Sequence, residues 1–251
     1  MQTYLVTGLA LLATYLCNRF GFHAELPSGL IGIAIIFPIV FSINAAYRRR
    51  EEALRYFASI KAHAVAIYFG HRDWAGSDSK SAERGRGLVK DLLGRIRKYF
   101  TYQDPQSLPN HIPAKKLSAV YDVFNRFSAS HEALRESGVA TGEISRINQY
   151  MRGMVIDFEK MRNIRLYQTP KSLRAYSQIF LNLFPILYAP YFAQVCLDSH
   201  VVTGYAVAVL YSLVLVTLDN IQEDLENPYD GIGEDDVNLD VSGESEILLK
   251  S

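Results

Sequence analysis

Apolar positions follow two different patterns along this chain. Over residues 1–18, 26–47, 175–197 and 199–218 they are nearly continuous, without one Asp, Glu, Lys or Arg. Between residues 48 and 168 they recur every three or four positions among charged ones, as on a helix with one buried face. Each continuous run is about as long as a helix needs to cross a hydrocarbon core of roughly 30 Å. Buried helices of a water-soluble protein account for one or two such runs, not for four. The first run lacks the basic start and A-x-A site of a cleaved leader and is read as a span. The expected fold is therefore all-α, an integral membrane protein with four transmembrane helices. Residues 1–47 hold spans one and two, 48–170 a helical region, 171–222 spans three and four, and 223–251 an acidic tail.

In the middle region "EEALRYFASIKAHAVAIYF" sets Leu54, Phe57, Ile60, Ala64 and Ile67 at helical spacing. "SAERGRGLVKDLLGRIRKYF" does the same with Leu88, Leu92, Ile96 and Phe100. "AKKLSAVYDVFNRFSASHEAL" follows the proline-rich break "DPQSLPNHIP". A last helix is expected from Thr141, as N-cap, with Glu143 in its first turn. No alternating strand pattern or internal repeat stands out. The second span runs into the first of these helices with no turn residue between, so one rigid helix is expected there. The tail, few in large apolar residues and strongly acidic, is either disordered or an extended strap on the basic helices.

Charge sharpens the picture. The formal net charge is zero, yet 23 of the 26 Lys and Arg lie between Arg48 and Lys171, and 11 of the 26 acids between Asp219 and Glu246. Arg48, Arg49 and Arg50 end the second span, so the positive-inside rule puts the middle region and both termini on the cytoplasmic side of a cell membrane, or its organelle equivalent. Cys17 and Cys196 allow a disulfide without implying one, and two cysteines make no metal site.

Catalytic signatures do not appear. There is no Walker loop, H-E-x-x-H or G-x-S-x-G. "ERGRGL" has neither a strand before it nor a third glycine. The six histidines show no ligand spacing, and His63 and His71 read as ordinary helix and helix-end residues. "GHRDW" reads as a helix terminus, and "EDDVNLD" lacks the alternate acids and central glycine of an EF-hand. No enzyme is indicated. The basic helices are interleaved with acids and tied to a membrane, which favours a face near anionic lipid over nucleic acid.

One stretch, "IGIAIIFPIVFSINAAYRRREEALRYF", asks for more. Ile33, Phe37 and Phe41 recur every four residues, Pro38 stands among them, and three arginines follow. "IFPIVFSINAAYRRREEA" resembles the second membrane helix of bestrophins. "YQTPKSLRAYSQI" resembles the entry to their third span, and "LDNIQEDLENPYDGIGEDDVNLD" the end of their fourth span with the acidic stretch behind it. Bestrophins and their bacterial relatives are homopentameric ion channels, mostly anion-selective, with some bacterial members passing cations. The resemblance implies a pore neck at Ile33, Phe37 and Phe41, a cytoplasmic constriction close to Lys171, and a C-terminal family motif at Asn227, Pro228 and Tyr229. Five copies of the stripe would stack three apolar rings around an axis.

The sequence also departs from the family. Its usual aromatic pair is replaced near Arg50 and Glu51, Asp230 stands where glycine is common, and extra residues precede "EDD". Asp235 and Asp236 are the nearest candidates for the acids that bind calcium in animal members. The departures argue against calcium control, so no metal or other cofactor is expected. The resulting expectation is a homopentameric channel in a lipid bilayer that passes chloride or other small anions passively. The alternatives are a membrane scaffold or transporter without channel activity, and a cation-conducting relative.

Overall fold

The structure, a computed structural model, describes residues 2–25, 28–75, 79–103, 112–167, 171–231, 235–243 and 249; the side chains of 2, 28–38, 79 and 171–177 lie outside that description. Its helices are α1 (Gln2–Phe20), α2 (Ser28–Asp73), α3 (Ser79–Phe100), α4 (Ala114–Glu136), α5 (Thr141–Leu166), α6 (Lys171–Leu187), α7 (Ala189–Asp198) and α8 (Val201–Glu226). No strand occurs among the described residues. The chain forms two compact units, one from residues 1–47 and 169–226, the other from 48–168 and 227–251.

The first unit is a bundle in which α1 packs on α6, α7 and α8, and α6 and α7 on α8. Helix α2 joins it where Ile39 meets Leu181 of α6 and Leu215 of α8. Gly204 lets α8 close on α7, because a Cβ there would collide with the Cys196 sulfur and the Phe192 carbonyl. Three polar side chains of the bundle bond back to their own helix: Thr14 Oγ1 donates to the Ala10 carbonyl, Ser212 Oγ to Ala208 and Asn182 Nδ2 to Gln178, each at 2.8 Å. That is how a helix keeps such groups without water. The outer surface is apolar, with Leu5, Leu12, Val202, Leu210 and Val214 all more than half exposed. Gln178–Asp198 and Val201–Glu226 are long and apolar enough to cross a membrane, and most of each lies unburied within the chain. Such a surface fits a lipid surrounding better than water.

One local expectation changes here, and two open points close. The run 175–197 is not one helix but two, α6 and α7, parted at Tyr188. Pro190 at the start of α7 has no N–H to bond into the preceding turn, and its ring crowds the carbonyl four residues back. Pro38, by contrast, leaves α2 unbroken. Cys17 and Cys196 are both free thiols.

The second unit has a single core built from α3, α4, α5, the α2 residues from Arg48 onward, and the end of the chain. Phe57, Ile60, Ala64 and Ile67 are buried, and so are Leu88, Leu92, Ile96 and Phe100, as their spacing predicts. Thr141 is the first residue of α5 rather than its cap; the N-cap is Ala140, and no side chain caps the turn. Over residues 235–243 the tail is a strap. Val237, Leu239 and Val241 alternate into the core, exposed Asn238 and Asp240 point out, and the Asp240 carboxylate pairs with Arg97 of α3 at 2.9 Å.

His71, at the end of α2, is not an ordinary helix-end residue. It is 1% exposed, with Ser81 Oγ 3.2 Å from Nδ1 and Ser130 Oγ 3.2 Å from Nε2. The Ser130 hydroxyl donates to the Phe127 carbonyl, so it accepts from His71 Nε2–H; Ser81 then donates to a bare Nδ1. A second proton, on Nδ1, would require the Ser81 hydroxyl to turn from donor to acceptor. His131 lies 5.8 Å away ring to ring, donates from Nδ1 to Asn148, and buries an Nε2 with no partner among the described residues. Burial, then His131 and Arg84, push His71 down to about 4; burial lowers His131 as well, against its bond to Asn148.

A histidine lowered in the folded state favours unfolding as pH falls from its ordinary value near 6.5 through the folded value. The neutral ring is fully compatible with the fold above pH 6.5, and the penalty is complete only below about pH 4. At pH 5 His71 should cost on the order of 2 kcal/mol. Melting of the detergent-solubilised protein at pH 7.5 and pH 5 should show a larger fall for the parent than for His71→Asn. Equal falls would contradict the network.

Candidate ion pathway and C-terminal turn

On α2 the first unit presents two unlike faces. Ile39 is 2% exposed, and Ser42 and Ala46 are also buried. Phe41 is 58% exposed and Val40 52%, with Asn44 and Ala45 exposed one turn on. Phe41 is therefore not a core residue of this chain. Ile33, Phe37 and Phe41 follow one another at four-residue intervals along the continuous helix, which places their Cα positions on one side of it. The side chains of Ile33 and Phe37 lie outside the described residues. So does that of Lys171, the first residue of α6.

The three arginines after the stripe divide in role. Arg48 is exposed. Arg50 bonds Glu51 at 2.6 Å, donates from Nε to the Asp235 carbonyl, and stands 4.0 Å from the Asp235 carboxylate. It fastens the strap to α2. The sequence gives no direct sign of that pairing, because the partners are 185 residues apart.

Asn227, Pro228 and Tyr229 open the turn from which the strap departs. Asn227 Nδ2 donates to the Asp230 carboxylate at 3.0 Å, and the Pro228 carbonyl accepts from Val237 N–H at 2.9 Å. Gly231, at φ 73°, takes a left-handed conformation that costs a glycine little, and its N–H donates to Asp236. Tyr229 is 1% exposed; its ring lies 4.6 Å from that of Phe100 and its hydroxyl donates to the Met161 carbonyl. Its neighbour Arg165, 4% exposed, donates to the Phe100 carbonyl at 2.6 Å and the Tyr102 carbonyl at 2.7 Å. Sequence reading passed over Arg165, although it continues the buried spacing Met154, Phe158, Met161. A cation on an apolar stripe was the available signal.

Asp236 is the acid of this turn with displaced chemistry. Burial lifts it to about 6; the Gly231 N–H opposes that lift, the Asp230 carboxylate adds to it, and Arg50 lowers it. Asp235 is bound through its carbonyl by Arg50 rather than held toward Asp236. Among the described residues no three His, Cys, Asp or Glu side chains converge as a metal site.

No protein-family model matches the sequence, and no curated protein matches it. Solved structures do. A crystal structure of a point mutant of a bacterial bestrophin homologue from Klebsiella pneumoniae superposes with a TM-score of 0.82 at 16% identity, over 99% of this chain and 97% of that one. The same homologue phased on zinc gives a TM-score of 0.79 at 18% identity, over 99% and 94%. A point mutant described as a membrane protein gives 0.80 at 17%, over 99% and 93%. With nearly every residue of both chains superposed, the protein has the fold of the bacterial bestrophin homologues.

Proposed function

We propose that this chain is an ion channel of the bestrophin type, assembling as a homopentamer and passing chloride or other small anions passively. Four spans carry it through the bilayer: α1, the first part of α2, α6 with α7, and α8. The observation that supports the reading most directly is Phe41, a large apolar side chain more than half exposed on α2 while the face bearing Ile39 holds the bundle. Five α2 helices around one axis would bring Ile33, Phe37 and Phe41 into three rings about 6 Å apart along it. Such rings offer an ion no hydrogen-bond partner and control it by wetting and radius. The Lys171 ring would raise local anion concentration, and the protein carries out no chemical transformation.

The assembly follows from the pore, since one α2 helix encloses nothing. Native mass spectrometry in detergent should give a pentamer; a clean monomer or dimer would remove the pathway. Topology is a separate outcome. In a background without Cys17 and Cys196, Phe22→Cys and Ser107→Cys should respond oppositely to an impermeant thiol reagent in intact vesicles, and equal labelling would refute four spans.

Phe41→Ala tests the neck. Truncating a buried phenylalanine costs about 3–5 kcal/mol, as expected for Phe158, which is fully buried. Phe41, more than half exposed, should tolerate the change and leave assembly intact. In planar bilayers under a salt gradient the variant should pass larger or less gated currents, with a reversal potential on the anion side. Parental currents from a well-assembled variant would exclude Phe41 from the pathway.

A further inference from the structure

In the second unit α3 and α4 line a half-open cleft of about 700 Å³, within the size range of small-molecule sites. Five cations line it: Lys90, Arg95 and Lys98 from α3, Lys115 and Lys116 from the first turn of α4. Among the described residues one acid lines it, Asp91, and that acid is already taken. Its two oxygens accept from Arg95 at 2.8 Å and from Arg126, and these two bonds hold it below the ordinary carboxylate range against the opposing effect of burial. Among the described residues no acid lies at ion-pair distance from Lys90, Lys98, Lys115 or Lys116. Lys116 instead stands 4.3 Å over the Tyr102 ring.

Two further features agree with an anion between the helices. Helix α4 begins at Pro113 without a side-chain cap and with no acid in its first turn, where two lysines oppose its dipole. Gly94 lies mid-helix in α3 on the cavity wall, and a Cβ there would meet nothing within 4 Å. Packing does not ask for that glycine, which weakens the helix by about 1 kcal/mol relative to alanine, but it keeps the wall open. Tyr99, Pro113 and Ala119 supply an apolar floor.

We infer that this α3–α4 cavity binds a phosphate-bearing ligand, its phosphate held by Lys98 and Lys115 across the opening and its organic body on the apolar floor. Ammonium groups on flexible stems suit a compact dianion approached from several sides. Chloride, one charge and no hydrogen-bond geometry, would leave most of the cations uncompensated. The site is independent of the pore reading and stands or falls without it. The phosphate has two possible sources, a soluble ester or the headgroup of a phospholipid.

Lysine footprinting of the full-length protein separates them. In phosphatidylcholine nanodiscs, inorganic pyrophosphate at ten times its dissociation constant should slow acetylation of Lys98 and Lys115 about tenfold and leave Lys160, outside the cavity, unchanged. Lys98→Glu, an exposed position, should abolish the protection of Lys115 on the facing helix. Nanodiscs containing phosphatidic acid, with no pyrophosphate added, test the second source. Protection there as well assigns the headgroup; protection by pyrophosphate alone assigns a soluble ester. Slowing of Lys160 to the same degree, protection of Lys115 that survives Lys98→Glu, or no slowing in any arm would overturn the site.

Discussion

The second unit turns on one buried guanidinium. Helix α3 ends with carbonyls that have no partner inside the helix, as every helix does, and that of its last residue, Phe100, lies inside the protein rather than in water. Arg165 of α5 answers the Phe100 and Tyr102 carbonyls. Taking a charge out of water costs several kcal/mol, repaid only where its donors are used in good geometry; burial accordingly pushes Arg165 below its ordinary basicity. The same few ångströms hold Tyr229, whose ring covers Phe100 and whose hydroxyl reaches back to α5. Two helix ends and the entry of the strap are thus fixed by one cation and one tyrosine. An apolar residue at 165 would take its donors from the buried Phe100 carbonyl and the half-buried Tyr102 carbonyl.

The first unit obeys a different constraint. Some of its polar atoms, those of Thr14, Asn182 and Ser212, are answered within their own helices, the Ser42 and Tyr188 hydroxyls have no partner among the described residues, and many of its large apolar side chains face outward. The aromatic cluster of Tyr188, Phe192 and Tyr211 holds the helices at their contacts, and small residues such as Gly204 let backbones approach. Outward-facing apolar residues lose nothing in hydrocarbon, so association inside the unit depends on close packing more than on hiding surface.

That difference decides what could be read from the sequence. Where one face meets water, spacing reports the buried face directly, and Phe57, Ile60, Ala64 and Ile67 lie where their period puts them. Where both faces are apolar, spacing loses its meaning. Ile39 and Phe41 look alike in "FPIVF", yet one is sealed against α6 and α8 and the other is open; only the packing of neighbours separates them. Thr141 missed its capping position by one residue because helix ends are set by local backbone geometry that several residue types satisfy. The two-helix nature of 175–197 was hidden because Pro38, equally placed in an apolar run, breaks nothing. Arg50 with Asp235, and Arg165 with its carbonyls, are long-range pairings that no window along the chain contains.

The strap has a consequence for biosynthesis. Val237, Leu239, Val241 and Leu249 complete a core whose other walls are made of residues 53–164. Those walls leave the ribosome before α6, α7 and α8 do, and they wait with an open apolar seam until Val237 to Leu249 emerge. Closure of this core is therefore a late step that follows the synthesis of the final helices. Contacts so distant along the chain form slowly, at the entropic cost of closing a long loop. In the interval the seam is exposed surface of the kind that chaperones engage and that aggregates recruit.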